Sequence, residues 1–175
     1  ARADEPHYRR SVADLERDTA VVLDTGDEQQ STFTAEVSEE WAIWGPMGGY
    51  IASIALRAAG EHCGRNRPAS INTSFLAAAQ FAPVRIRTET LRSTRVATCV
   101  RVVMTQNDRP VLEATVWGTD ANVGLDHHTA RRGPDVPHHS ALTSAADLLA
   151  AQGESWTHPF WERLDYRPVE WIDDW

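Results

Sequence analysis

Cysteine is scarce in this 175-residue chain: only Cys63 and Cys99 occur, and they lack the spacing of a metal-ligand pair. A disulfide scaffold would need more cross-links in so long a chain, so a reducing, cytoplasmic setting is expected. No run of about 18 apolar residues is present, which excludes a candidate membrane-spanning helix. The opening Ala1-Arg-Ala-Asp-Glu-Pro6 lacks the apolar stretch of a signal peptide. No cluster of basic residues offsets the formal net charge of −8, so neither a nucleic-acid surface nor a membrane surface is expected. A G-x-S-x-G elbow is missing, which argues against a serine-hydrolase route. His127-His128 and His138-His139 match no ligand spacing, and no functional metal is expected.

The chain does hold one distinctive stretch, Trp41-Ala-Ile-Trp-Gly-Pro-Met-Gly-Gly-Tyr50, which runs into Ile51-Ala-Ser-Ile-Ala-Leu-Arg-Ala-Ala-Gly60. Ile51, Ile54, Ala55, Ala58 and Ala59 recur at the spacing of one buried helix face, and Gly60 reads as the stop. Small residues on this helix let a surrounding sheet approach closely. The Gly48-Gly49 pair admits two readings: a turn that needs glycine, or helix-start amides that bind an anionic or polarised oxygen.

Strand patterns lie on both sides. Thr19–Leu23 is an apolar run, and Phe33, Ala35 and Val37 alternate with polar residues. Past a polar loop over Glu61–Pro68, strands are expected at Ser70–Leu76, Val84–Leu91, Val96–Thr105 and Val111–Trp117, with Gln106–Pro110 as a turn. Val84, Ile86 and Thr88 should share one face. The fold class is therefore α+β, a curved antiparallel sheet wrapped around one central helix. The expected organisation is an N-terminal extension over 1–18, the main domain over 19–120, a linker with a short helix over 121–155, and an aromatic tail over 156–175. Ser11-Val-Ala-Asp-Leu-Glu16 resembles a capped helical turn. The tail is rich enough in tryptophan to require burial, against this domain's sheet, in an interface, or in a further domain.

Trp44-Gly-Pro-x-Gly-Gly-Tyr50, Arg67-Pro-Ala-Ser-Ile-x-x-x-Phe-Leu76, Glu89-Thr-Leu-Arg-Ser-x-Arg95, Val103-Met-Thr-Gln106 and Val111-Leu-Glu-Ala114 together resemble the type II acyl-CoA thioesterase family. The resemblance covers about residues 19–120 and implies a hotdog fold. Members carry two hotdog repeats, and this chain is similar mainly to the first, with residues 160–171 resembling the opening of the second. The family's Asp, Ser/Thr and Gln constellation belongs to the second repeat. By pseudo-symmetry Gln106 matches the Gln and Ser70 the hydroxyl, while no carboxylate matches the Asp. The implied partners are acyl-CoA and a second hotdog unit, as a homodimer or a second repeat, with no cofactor beyond the coenzyme A of the substrate.

Thioester hydrolysis needs a donor to the developing oxyanion, a group that positions water, and an apolar acyl slot. The expected assignment gives the donor to the amides of Gly49 and Tyr50, the water to Gln106 and Ser70, and the slot to Trp44, Met47 and Tyr50 beside Gly48. Each also has a structural reading: Gln106 as a turn residue, Ser70 as a strand start, Trp44 as a core plug. Glu39 and Glu40 are the nearest acids in sequence, and one could act as base. Cys63 and Cys99 read as packing residues. The rival function is a non-catalytic acyl-binding or scaffold half that lacks the acid. A dehydratase would need a histidine in segments that have none.

Overall fold

The computed structural model describes residues 14–120 and 133–171. After a single helical turn, α1 (Leu15–Asp18), the chain builds β1 (Val22–Gly26) and β2 (Gln30–Ala35). The helix α2 (Gly48–Cys63) follows, then β3 (Arg67–Phe75), β4 (Val84–Ser93), β5 (Ala97–Gln106) and β6 (Arg109–Thr119). The six strands form one antiparallel sheet in the order β1-β2-β4-β5-β6-β3. This is the hotdog arrangement, with α2 as the helix held by the sheet.

Burial follows the residue pattern closely. On α2, Ile51, Ile54, Ala55, Ala58 and Ala59 are all buried, joined by Tyr50. Val84, Ile86 and Thr88 of β4 face this helix, as do alternate residues of β5 and β6 such as Val100, Val102, Met104, Leu112 and Val116. The alanines at 0% exposure explain why the helix is built from small residues: a larger side chain would push the sheet away. Truncating Ile54, fully enclosed here, would cost about 2–5 kcal/mol.

Several expected boundaries move. Helix α2 passes through Gly60 and ends at Cys63, because the left-handed stop is Gly64 (φ 62°), whose amide donates to Gly60 O at 2.9 Å. A glycine inside a helix costs about 1 kcal/mol, which tertiary packing overrides, whereas a positive φ specifically favours glycine. The loop expected over 61–68 is correspondingly shorter. The β5–β6 turn is tighter than Gln106–Pro110: only Asn107 (φ 50°) and Asp108 (φ 60°) turn, while Gln106 and Arg109 already pair across the strands. The N-terminal turn is capped by Asp14, whose carboxylate accepts from the amides of Glu16 and Arg17; Ser11 lies outside the described residues. The short helix expected within 121–155 is α3 (Ala145–Ala151), capped by Ser144.

The aromatic tail folds back on the domain. Pro159–Arg163 forms a 3₁₀ turn against the 3₁₀ turn Glu39–Trp41; Phe160 is buried and its amide donates to Ala42 O at 3.1 Å. Arg163 pairs with Glu40 beside it.

Candidate functional site

The site is built on the turn that starts α2. Trp41 is buried, stacks on the Tyr50 ring at 5.5 Å, and donates its indole N–H to Asp18 Oδ2 at 3.0 Å. The Tyr50 hydroxyl donates to Asp18 O at 2.8 Å and accepts from the Ser38 amide at 3.0 Å. Burial pushes the Tyr50 phenol above its ordinary pKa. Burial also acts to raise Asp18, but the bonds from Trp41, Arg17 and the Asp14 amide outweigh it and hold the carboxyl low. The Met47 amide donates to Trp41 O at 3.1 Å and closes the turn. These anchors fix the direction in which the first amides of α2 point.

That opening gives onto a cavity of about 360 Å³ lined by Pro46, Gly48, Ile51, Phe75, Leu76, Val111 and the alanine run 77–79. The Phe75 ring lies over the helix start so closely that a Cβ on Gly48 would sit 3.3 Å from its Cζ. Glycine here therefore admits a close neighbour, with no special φ involved. The Gly49 amide is capped by Met47 Sδ at 2.8 Å. Apolar walls beside the positive end of a 16-residue helix suit an acyl chain with a polarised carbonyl at its head.

The residues expected from the sequence fall in different places. Gly48 lines the cavity, whereas Gly49 and Met47, its chain neighbours, bond to each other and are not part of the lining. Tyr50 is not part of the lining, because its side chain belongs to the buried anchor. Trp44 is neither slot nor core plug: it is 93% exposed, with an edge contact to His158 at 6.2 Å. Gln106 is buried and its amide is engaged three times, Nε2 donating to Gln80 O and Ala82 O at 2.9 Å each and Oε1 accepting from the Gln80 amide at 2.8 Å. It clamps the loop that continues the cavity wall.

Ser70 does not join Gln106. It pairs with Trp117, which pairs with Cys99, and Gln106 lies seven residues further along β5, roughly 23 Å away at strand spacing. The two cannot hold one water within this chain. Of the nearby acids, Glu40 is tied to Arg163, and Glu39 is exposed on its turn. Cys99 is buried, which raises its thiol pKa, and Cys63 Sγ rests near Gly60 O. His138 bonds Ser140, and His127-His128 lie outside the described residues.

Sequence reasoning missed the walls. In the sequence Phe75 and Leu76 read as the end of a strand, and Ala77–Ala79 carry no assigned role. The signal was an apolar pair running off a strand into three alanines.

Comparison with known proteins agrees with this fold. The sheet and helix define a hotdog-fold protein. Residues 37–119 match the model of the acyl-CoA thioesterase N-terminal domain. A hotdog-fold protein of unknown function from Alicyclobacillus acidocaldarius is 28% identical, with TM-score 0.64 over 74% of this chain and 48% of that one. A proposed thioesterase II from Thermobifida fusca YX is 19% identical, with TM-score 0.67 over 82% of this chain and 59% of its own length. A hypothetical thioesterase from Streptococcus pneumoniae TIGR4, solved with coenzyme A, is 18% identical, with TM-score 0.53 over 62% of this chain and 94% of that one. The chain thus spans about half of the Alicyclobacillus protein. No curated protein matches it. Among the described residues no helix is long and apolar enough to cross a membrane.

Proposed function

We propose that this domain binds acyl-CoA and takes part in hydrolysis of its thioester to free acid and coenzyme A. The observation that carries this reading is the cavity at the start of α2, whose lining side chains are all apolar while backbone polar groups remain open to it. The acyl chain lies between Ile51, Phe75, Leu76 and Val111, and the carbonyl oxygen meets the amides of the first turn, displacing the Met47 sulfur from Gly49. Such donors stabilise charge that develops on the oxygen as water attacks. Arg57 and Arg67, lining a second cavity at the other end of α2, offer charge to the anionic nucleotide. The reaction needs no cofactor beyond the coenzyme A moiety itself. Free Cys63 and Cys99 suit a reducing cytoplasm.

Gln106 serves here as a positioning residue that holds the cavity wall. Ser70 sits on β3, an edge strand exposed along nearly all its length, and acts only toward a second hotdog unit docked there. A specific observation favours the alternative of an acyl-binding half: residues 48–60 of α2 contain no Asp or Glu. Water activation then falls to an acid from the second unit.

Thiol release and equilibrium binding are measured together on short, medium and long acyl-CoAs, with Ala78→Phe as the variant, since Ala78 is exposed and lines the cavity. Hydrolysis that weakens in Ala78→Phe supports the enzyme reading. Binding without thiol release supports the binding half, and binding that Ala78→Phe leaves unchanged removes the cavity from both.

A further inference from the structure

A second cavity, of about 480 Å³, lies in the tail and belongs to none of the chemistry above. Its walls include Trp156, Trp161, Tyr166 and Trp171, with Leu149 and the polar Gln152 and Glu154. The volume is within the usual range for small-molecule sites. Trp156 and Trp161 stack at 5.6 Å and form one wall, and Phe160 packs edge-on behind Trp161 at 5.2 Å. Among the described residues of the tail Phe160 is the buried one; Trp156, Trp161 and Trp171 are half-buried, and Tyr166 is exposed.

The frame is tied from several sides. The Ala145 amide at the start of α3 donates to Tyr166 O at 2.8 Å, and Arg167 Nη1 donates to Leu142 O at 2.7 Å. Gly153 turns the chain at φ 77°, and the Glu154 amide returns to Leu149 O at 2.9 Å. These bonds hold the backbone that carries Leu149, Glu154 and Tyr166.

Two features specify what it takes. Aromatic side chains dominate the lining, with the stacked Trp156–Trp161 pair on one side and Tyr166 and Trp171 beside it, and Glu154 adds a carboxylate, so the site favours a cation whose surface is apolar. The Trp171 indole N–H is buried with no hydrogen-bond partner among the described residues, so it calls for an acceptor oxygen. We propose that the pocket of Trp156, Trp161, Tyr166 and Trp171 with Glu154 binds a small quaternary-ammonium compound carrying an acceptor oxygen a few bonds from its nitrogen. The methyl groups lie against the rings, Glu154 neutralises the charge, and the oxygen accepts from Trp171. This site stands independently of the thioester reading.

The test is titration of the full chain with glycine betaine, choline and tetramethylammonium, read by tryptophan fluorescence and calorimetry, against the neutral isostere 3,3-dimethylbutanol. The cations should saturate the site, with the isostere about tenfold weaker. Glu154→Gln, on an exposed side chain, should weaken the cations several-fold and spare the isostere. Trp171→Phe keeps a ring and removes the N–H, so it should weaken betaine while leaving tetramethylammonium unchanged. Trp156→Leu should abolish the preference for cations, with near-ultraviolet circular dichroism reporting that the remaining fold persists. Equal affinity for the isostere, absence of saturable binding by any cation, or a betaine affinity indifferent to Trp171→Phe and Glu154→Gln overturns the proposal.

Discussion

Replacing Gln106 with alanine removes three hydrogen bonds at once and separates two meanings of this residue. Its Nε2 donates to Gln80 O and Ala82 O, and its Oε1 accepts from the Gln80 amide, all within 2.8–2.9 Å. Each such bond contributes on the order of 1 kcal/mol net, and more where the orphaned partner stays dry. Gln80 is exposed, so water replaces part of the loss, whereas Ala82 is half-buried. The expected destabilisation is about 2–3 kcal/mol, or roughly 4–12 °C in Tm for a chain of this size. The measurement is urea unfolding at equilibrium, followed by tryptophan fluorescence, with thiol release and acyl-CoA binding run on the same preparations. A clamp predicts lower stability together with weaker acyl-CoA binding, because the 77–79 wall loosens. A water-positioning group predicts unchanged stability with slower turnover. An unfolding free energy within about 0.5 kcal/mol of the parent would refute the clamp, since surface changes rarely exceed that.

The His62 imidazole lies between Ser31 Oγ (2.8 Å from Nδ1) and Thr90 Oγ1 (2.9 Å from Nε2), and burial lowers its pKa from 6.5 while the charge of Asp27 acts the other way. A histidine held below its unfolded value contributes stability that is fully present above about 6.5 and is lost as pH falls from there through the lower folded value. Stability of the parent should therefore drop between pH 7 and 5.5 more than that of His62→Gln; parallel curves would count against a neutral His62. At Gly118, an added Cβ would sit 2.9 Å from Cys63 Sγ and 3.1 Å from Arg65 Cβ. Gly118→Ala should cost about 1–3 kcal/mol by overpacking, and Cys63→Ala in the same chain should restore part of it. Additive effects in the double variant would mean that the contact is relieved elsewhere.

The fold was legible because its pattern is local. A period near 3.6 over residues 51–59 and a period of two over 84–88 each report one buried face, and the structure buries those faces. The helix end was misplaced because Gly60 and Gly64 look alike as letters, and only backbone conformation tells an interior glycine from a left-handed stop. The site was less legible. Gln106 finds its partners in a loop 24 and 26 residues earlier, a pairing that no periodicity encodes. Trp44 carries a strong burial propensity, yet its neighbours Trp41 and Tyr50 fill the inner face and leave it outside. Ser70 and Gln106 shared a plausible chemistry in one dimension, and the register of β3, β6 and β5 sets them at opposite ends of the sheet.

The composition of α2 also bears on where an acid can come from. Its sheet-facing residues Ile54, Ala55, Ala58 and Ala59 are at 0% exposure, so a carboxylate on that face would be a buried charge without a partner. On the open side, Ser53 Oγ donates back to Gly49 O at 2.8 Å, and the next acid, Glu61, lies at the far end of the helix beside Arg57. Phe75, an exposed residue at the end of β3, forms part of the cavity wall, and β3 is exposed over most of its residues. A second hotdog unit aligned on that edge would satisfy the unpaired backbone of β3 and bring its own side chains to the helix start in the same step. Turnover should therefore follow assembly. If thiol release per chain stayed constant on dilution through the dissociation of any such assembly, this domain would have to supply its own acid, and neither Glu39 on its exposed turn nor Glu40 beside Arg163 projects into the cavity lining.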